Sequence, residues 1–265
     1  MKSFVKKAYI YLLLLFLYAP IIVLVIYSFN DSKYRSRWGG FSLRWYKELF
    51  TDARIMNALY YTITIALIAA IVATLLGTMA SIGIFSMGKR SKKIIKNISY
   101  IPILNPDIVT GISLMMLFLF INIRLGFSTM LMAHITFCTP YVILSVLPKL
   151  QQLDSSLYEA ALDLGAKPWQ AISKVIVPEI KPGIITGFLL AFTLSVDDFV
   201  ISFFTTGSGV TNLSIQIFSM AKKGINPKIN AISTLMLLTV MILLIIIQKR
   251  QNKTLKYKEV SNEEK

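Results

Sequence analysis

Three carboxylates stand inside otherwise apolar runs of this chain: Asp107, which follows Asn105 and Pro106, and the adjacent pair Asp197 and Asp198. An Asp near the centre of a bilayer costs about 2.5–3.5 kcal/mol on insertion scales, so such a residue is expected to face a bundle interior or a water-filled path. A carboxylate there can do one of two things. It can offer a weak site to an ammonium group in transit, or it can cap a break in a helix and bond neighbours such as Thr193 and Ser195. With no basic residue in the same runs, the three favour a cationic cargo over an anionic one. Phe199, Phe203 and Phe204 can add aromatic faces for a cation, or simply pack. Asn105 and Pro106 read as the cap and first residue of a helix that restarts at membrane depth, and such breaks line cavities. Adjacent helical residues point about 100° apart, so only one of Asp197 and Asp198 can face a path squarely. Asp198 is ranked first of the two.

Other chemistry is thinly represented. His134 and Cys138 sit one turn apart in a fourth apolar run, and a metal site needs more ligands than these two, so both read as packing residues. A single cysteine allows no intrachain disulfide. There is no P-loop, no glycine-rich nucleotide fingerprint and no Ser/His/Asp arrangement. The chain is therefore not expected to be an enzyme or to hold a cofactor, and ATP hydrolysis would need another polypeptide.

The elements that must position these residues are apolar and long. Of the 265 residues, 55% are hydrophobic and 15% charged, too few charges for a soluble domain of this length. Crossing a hydrocarbon core about 30 Å thick takes roughly 20 apolar residues in a helix. Six segments qualify, near 8–29, within 55–88, and near 98–122, 125–148, 183–206 and 229–248. They lack strand alternation, so the expected fold is all-α with six transmembrane helices. The division runs 1–54 (a peripheral first span and loop), 55–248 (the core) and 249–265 (a tail). The first run is too long for a signal-peptide core and no cleavage site follows, so it reads as a retained span. Lys and Arg number eighteen on the side holding both termini and ten on the other. The positive-inside rule, and the block KRSKK at 89–93 above all, puts both termini in the cytoplasm and Arg35 and Lys223 outside. A net charge of +15 then reflects membrane flanks rather than nucleic-acid binding.

One polar segment between spans stands out. Residues 159–178 read EAALDLGAKPWQAISKVIVP. Ser156 and Glu159 have capping-box spacing, and Leu157, Ala160, Ala161 and Leu164 share a face. Gly165 suits a C-terminal cap, and Pro168 the start of a second helix with Trp169, Ile172, Val175 and Ile176 along one side. Pro178 and Pro182 are expected to close the segment before the fifth span.

This stretch resembles the EAA loop of bacterial ABC importer permeases: Glu-Ala-Ala, three residues, Gly, nine residues, then Ile-x-Leu-Pro. Glu159, Ala160, Ala161, Gly165 and Pro178 fall on the fixed positions; Val175 and Val177 replace the usual Ile and Leu. The resemblance implies a type I importer permease fold, with Glu159, Ala160, Ala161 and Gly165 as the positions that dock in a groove of an ATPase subunit. It further implies a heterodimer with a second permease, two ATPase subunits and an external substrate-binding protein, in the bacterial plasma membrane. ATP binding would draw the two loops together and open the permease pair outward; hydrolysis would reset it.

The stretches at 106–118, 134–142 and 191–207, with YSFNDSKY and WGGFSLRWY in the first external loop, are similar to the spermidine/putrescine branch of these permeases. That branch implies polyamine cargo, with Asp107, Asp197 and Asp198 along its path. Permeases for ferric iron, thiamine, molybdate or opines share the loop and stay open as alternatives. A proton-coupled secondary transporter is the rival class, against which no inverted repeat is visible.

Overall fold

The computed structural model describes residues 2–34, 37–154, 156–223 and 227–263, with the side chains of 2–6, 247 and 249–263 excepted. Arg35, expected outside the membrane, lies beyond the described residues, as do the side chains of the 249–265 tail. Almost all of the described chain is helical: α1 Lys2–Tyr27, α2 Arg44–Thr51, α3 Ala53–Ser86, α4 Lys89–Leu104, α5 Asp107–Phe120, α6 Phe127–Leu150, α7 Ser156–Asp163, α8 Pro168–Ala171, α9 Val177–Asp197, α10 Val200–Thr205, α11 Leu213–Lys222 and α12 Lys228–Glu263. Among the described residues β structure is limited to one isolated bridge, Asn30 with Phe41.

Five stretches are long and apolar enough to cross a membrane alone: Lys7–Tyr27, Ala53–Ser86, Phe127–Leu150, Pro168–Asp197 and Lys228–Ile246. The expected third span is instead the pair α4 and α5, bent by 100° at Asn105 and Pro106. With that pair counted as one span the total is six, so the multi-pass all-α reading holds. Two segments between spans carry helices of their own, α2 within 31–54 and α11 within 207–228.

The chain forms two compact units. The first comprises residues 1–59 and 213–240. Its loop is organised by Asn30, whose side chain accepts from the backbone N–H of Ser32 and Gly39 and donates to the carbonyl of Arg37. The Trp45 indole N–H donates to the Asn30 carbonyl at 2.7 Å, which satisfies the ring's one polar atom while its body is buried with Leu49, Ile55, Ala58, Leu213, Ala231 and Ile232. Lys228 lies 3.4 Å from both Glu48 and Asp52. The hydrogen bond from Arg44 holds the Glu48 carboxyl below its ordinary pKa.

The second unit comprises residues 60–212 and 241–265. Its core centres on the pair α6 and α9, with Phe137, Val142, Val146, Leu150, Ile176 and Ile180 buried together. Close approach is possible because Gly183 and Gly187 face α6: a Cβ on Gly183 would lie 2.7 Å from Lys149 Cγ and 3.1 Å from the Ser145 carbonyl.

Two expectations about α9 need correction. The helix does not begin after Pro182. It runs without a break from Pro168 to Asp197, because a π-helical turn at Ile172–Ile176 intervenes and Val177 N–H reaches back five residues to the Ile172 carbonyl. That widened turn accommodates Pro178, which has no N–H to give to the ladder. Nor does the span continue to 206, since it stops at Asp197 and restarts as α10.

Candidate functional site

Two places in the second unit can do the work the sequence suggests, one polar hairpin and one group of carboxylates.

The hairpin is α7, a turn and α8. Its first helix begins one residue earlier than capping-box spacing predicts: Ser156 already lies within α7, and its N–H donates to the Asp154 carboxylate at 3.0 Å. Ser155 lies beyond the described residues. The turn is as expected and can be specified further. Gly165 has φ +85°, its N–H donates to the Leu162 carbonyl at 2.8 Å, and Ala166 N–H donates to the Ala161 carbonyl at 3.1 Å. Those two bonds define a Schellman ending, which requires the left-handed conformation that glycine adopts without strain. Pro168 then opens α8, and Lys167 N–H donates to the Gln170 side chain at 3.0 Å. The apolar face splits in a way the spacing did not predict. Ala161, Ala171 and Ile176 are buried, and Leu157 and Tyr158 pack on the core. Glu159, Ala160 and Gly165 remain outside. Beside them Leu164 is 89% exposed and Trp169 75% exposed, both large side chains missing from the sequence-based set of contact positions. A hairpin with one face anchored and two large apolar groups left bare is shaped to be covered by another surface.

The carboxylates are separated rather than gathered. Asp107 is the first residue of α5 and is exposed. The residue preceding the helix is Pro106, not Asn105; Asn105 ends α4 and its Nδ2 donates to Thr110 Oγ1 at 3.1 Å. Asp197, the last residue of α9, is exposed as well. Asp198 turns inward, its side chain 6% exposed. Its carboxylate accepts from the N–H of Ile201 at 3.2 Å, the N–H of Ser202 at 2.8 Å and the Ser202 hydroxyl at 2.8 Å. It thereby satisfies the opening N–H groups of α10, which explains why the helix breaks there.

A buried polar network surrounds that break. His134 Nε2 lies 2.8 Å from Ser202 Oγ and 3.5 Å from Asp198 Oδ2, and His134 Nδ1 lies 2.6 Å from Ser195 Oγ. Asn212 Nδ2 donates to Ser202 Oγ and to the Asp198 carbonyl. Hydrogen counting assigns the ring. The single Ser202 hydroxyl proton goes to Asp198 and the Asn212 amide already donates to the same oxygen, so His134 Nε2 must carry a hydrogen. In the neutral ring Nδ1 is then an acceptor and Ser195 donates to it. His134 is thus a hub rather than a packing residue. Its polarity at membrane depth was the available signal, since a buried imidazole there needs partners. Cys138, fully buried, lies 3.4 Å from the Ala191 carbonyl. Phe199, Phe203 and Phe204 pack on one another, with centroids 5.4 and 5.5 Å apart along the series. Among the described residues no group of His, Cys, Asp and Glu could hold a metal.

Residues 73–257 match the family described as binding-protein-dependent transport system inner membrane component. The chain belongs to that family. It is therefore a component of a transport system and not an enzyme, and it is a multi-pass membrane protein. It is 38% identical to the spermidine/putrescine transport system permease protein PotC of Haemophilus influenzae, over 93% of this chain and 96% of that one. It is 44% identical to the putrescine transport system permease protein PotI of Escherichia coli strain K12, over 84% of this chain and 82% of that one. Among solved structures, a bacterial alginate ABC transporter in complex with a periplasmic protein bound to an alginate pentasaccharide superposes with a TM-score of 0.70, covering 96% of this chain and 94% of that one at 14% identity. An amino acid ABC transporter superposes with a TM-score of 0.58 at 18% identity, covering 78% of this chain and 95% of that one. At those identities the likeness establishes the fold alone, that of a type I ABC importer permease.

Proposed function

We propose that this chain is the translocation subunit of an ATP-driven importer of polyamines in the bacterial plasma membrane, with both termini cytoplasmic. The observation that carries the cargo is its 38% and 44% identity, over most of the chain, to permeases named for spermidine and putrescine. The carboxylates support it. Asp107 and Asp197 are exposed at helix ends within the apolar part of the chain, where each can meet an ammonium group through a charge-assisted hydrogen bond. Asp198 belongs to the same path but acts from behind, holding the break that presents Asp197. Weak sequential sites suit transport, because tight binding in the membrane would slow release.

The working complex in this reading is a heterodimer with a second permease, two ATPase subunits and an external substrate-binding protein. The hairpin of Glu159, Ala160, Ala161 and Gly165 docks on an ATPase, with Ala161 anchoring it from inside and Leu164 and Trp169 filling the groove. The peripheral first span, the core at 55–248 and the tail at 249–265 keep the division read from the sequence. The test is initial-rate uptake of labelled putrescine and spermidine into proteoliposomes carrying the co-expressed complex, with and without the ATPase subunit. ATP-dependent uptake that falls roughly tenfold to a hundredfold in Asp107→Asn and Asp197→Asn is expected. Uptake driven by a proton gradient without the ATPase would reassign the chain to secondary transport. ATP-dependent uptake of some other solute in place of polyamines would overturn the cargo.

A further inference from the structure

Helix α4, which the transport reading leaves without a task, has an unusual distribution of charge. Lys89, Arg90, Lys92, Lys93 and Lys96 crowd its first half, and no Asp or Glu occurs anywhere from 53 to 106. At about 100° per residue, Lys89, Lys93 and Lys96 form one row, Ile94, Ile98 and Ile101 form another on the far side, and Arg90 stands at the edge of the isoleucines. Packing fixes the rotation of the helix between these rows. Ile95 lies against the buried Ile84, Ile143 and Leu147, and Lys92 is used internally, its Nζ donating to the Phe85 carbonyl at 3.2 Å and lying 4.2 Å from the ring centroid. No residue of α4 is buried. Ile94, Ile98 and Ile101 are between 57% and 60% exposed. Among the described residues, the ion pairs include none of Lys89, Arg90, Lys93 and Lys96.

We propose that α4 lies in the membrane interface and that Lys89 and Lys93, joined by Arg90 reaching to the polar layer from the edge of the isoleucine row, bind the headgroups of anionic phospholipids. The two rows demand opposite surroundings a helix diameter apart, which a bilayer surface supplies at once: acyl chains for the isoleucines and phosphates for the cations. The bend of 100° at the end of α4 lets α5 enter the apolar layer while α4 stays along its surface. A free anion would satisfy the cations and leave the isoleucines bare. An acidic protein surface would have to be apolar again on the far side of the helix. The charge balance points the same way, because α4 carries five cations and no carboxylate and needs its counter-charge from outside the helix. The proposal requires only that the chain spans a membrane, and it is independent of cargo and of ATPase coupling.

The experiment reads lipid selectivity directly. The co-purified permease complex is reconstituted in phosphatidylcholine bilayers containing a trace of spin-labelled phosphatidylglycerol or spin-labelled phosphatidylcholine. The motionally restricted fraction in the electron spin resonance spectrum gives the relative association of each lipid with the protein. Wild type is expected to prefer phosphatidylglycerol and to lose that preference in high salt. Lys89→Gln, Arg90→Gln and Lys93→Gln together should remove it, by roughly fivefold for each cation at a site it shares. Lys89→Arg with Lys93→Arg should retain it. The salt arm uses unaltered protein, so a poorly behaved variant does not decide the result. Equal association of the two lipids with wild type, or an undiminished preference in the triple Gln variant, overturns the proposal. So does unchanged lipid selectivity with loss of a co-purifying subunit, which would assign the face to an acidic protein.

Discussion

Replacing Asp198 with Asn separates a carboxylate that meets cargo from one that holds a helix break. Three donors converge on the side chain, at 3.2, 2.8 and 2.8 Å. A hydrogen bond to a charged group is worth about 1.5–3 kcal/mol net, against about 0.5–1.5 kcal/mol between neutral partners, so each loses roughly 1 kcal/mol with the charge. The Asn amide also turns an NH2 group towards at least one of these donors. Part of the loss is offset because a charge no longer has to be buried. The expected net loss is about 2–4 kcal/mol, which lowers the unfolding midpoint of a domain of this size by about 5–15 °C. Asp197→Asn, on the exposed neighbour, should cost less stability than Asp198→Asn and lower uptake instead. The assay pairs thermal unfolding of the detergent-solubilised complex, followed by intrinsic fluorescence, with polyamine uptake normalised to complex in the membrane. An Asp198→Asn protein that melts with wild type yet fails to transport would refute the capping role and return that carboxylate to the path.

The other expectations concern the hairpin and the topology. Gly165→Asp places a side chain on a residue at φ +85° and should strain the turn by roughly 1 kcal/mol or more; membrane insertion should persist and uptake should be lost, which membrane immunoblots and uptake assays check together. Leu164→Ala with Trp169→Ala removes two exposed side chains, so unfolding should be unchanged while recovery of the ATPase in pull-downs falls at least tenfold. Single cysteines at Lys92, Lys181 and Lys223 on a Cys138→Ser background should label from outside intact cells only at position 223, and strong labelling at 92 or 181 would reverse the assigned orientation.

Run length and polarity made the membrane helices legible, and the Pro at 106 made one break legible, because a residue without an N–H cannot continue a ladder. Only the capping residue was misassigned, since the Asn105 amide reaches forward to Thr110 Oγ1 instead of serving the backbone. The second break was hidden by the apolar run from Phe199 to Phe204, which reads as uninterrupted helix. What decides it is Asp198 taking the N–H groups of Ile201 and Ser202, a local competition that composition does not reveal. Pro178 and Pro182 were misleading for the opposite reason. Proline marks a lost hydrogen bond, and a π-helical turn can absorb that loss without ending the helix. His134 carried its signal in the open, but its partners come from residues 61 and 68 positions away, a pairing that only the packing of α6 with α9 and α10 creates.

That uninterrupted helix gives the two functional places a common mechanical frame. The hairpin turn at Gly165 stands just before Pro168, and Asp197 ends the same helical stretch of 30 residues. At about 1.5 Å per residue the two ends lie roughly 45 Å apart along one rod. A loop would dissipate a displacement over such a distance, whereas a helix packed along α6 through Gly183 and Gly187 carries it as a shift or a rotation. The far end of the rod is not free. Beyond Asp197 the chain is held by Asp198, Ser202, His134 and Asn212, and Ser195 ties α9 itself to the same His134, so motion of α9 is passed to that network. Asp197, exposed at the end of the rod, stands directly beside that network. In the transport reading proposed above, a pull on the hairpin would reach Asp197 through this rod with no contact between ATPase and cargo.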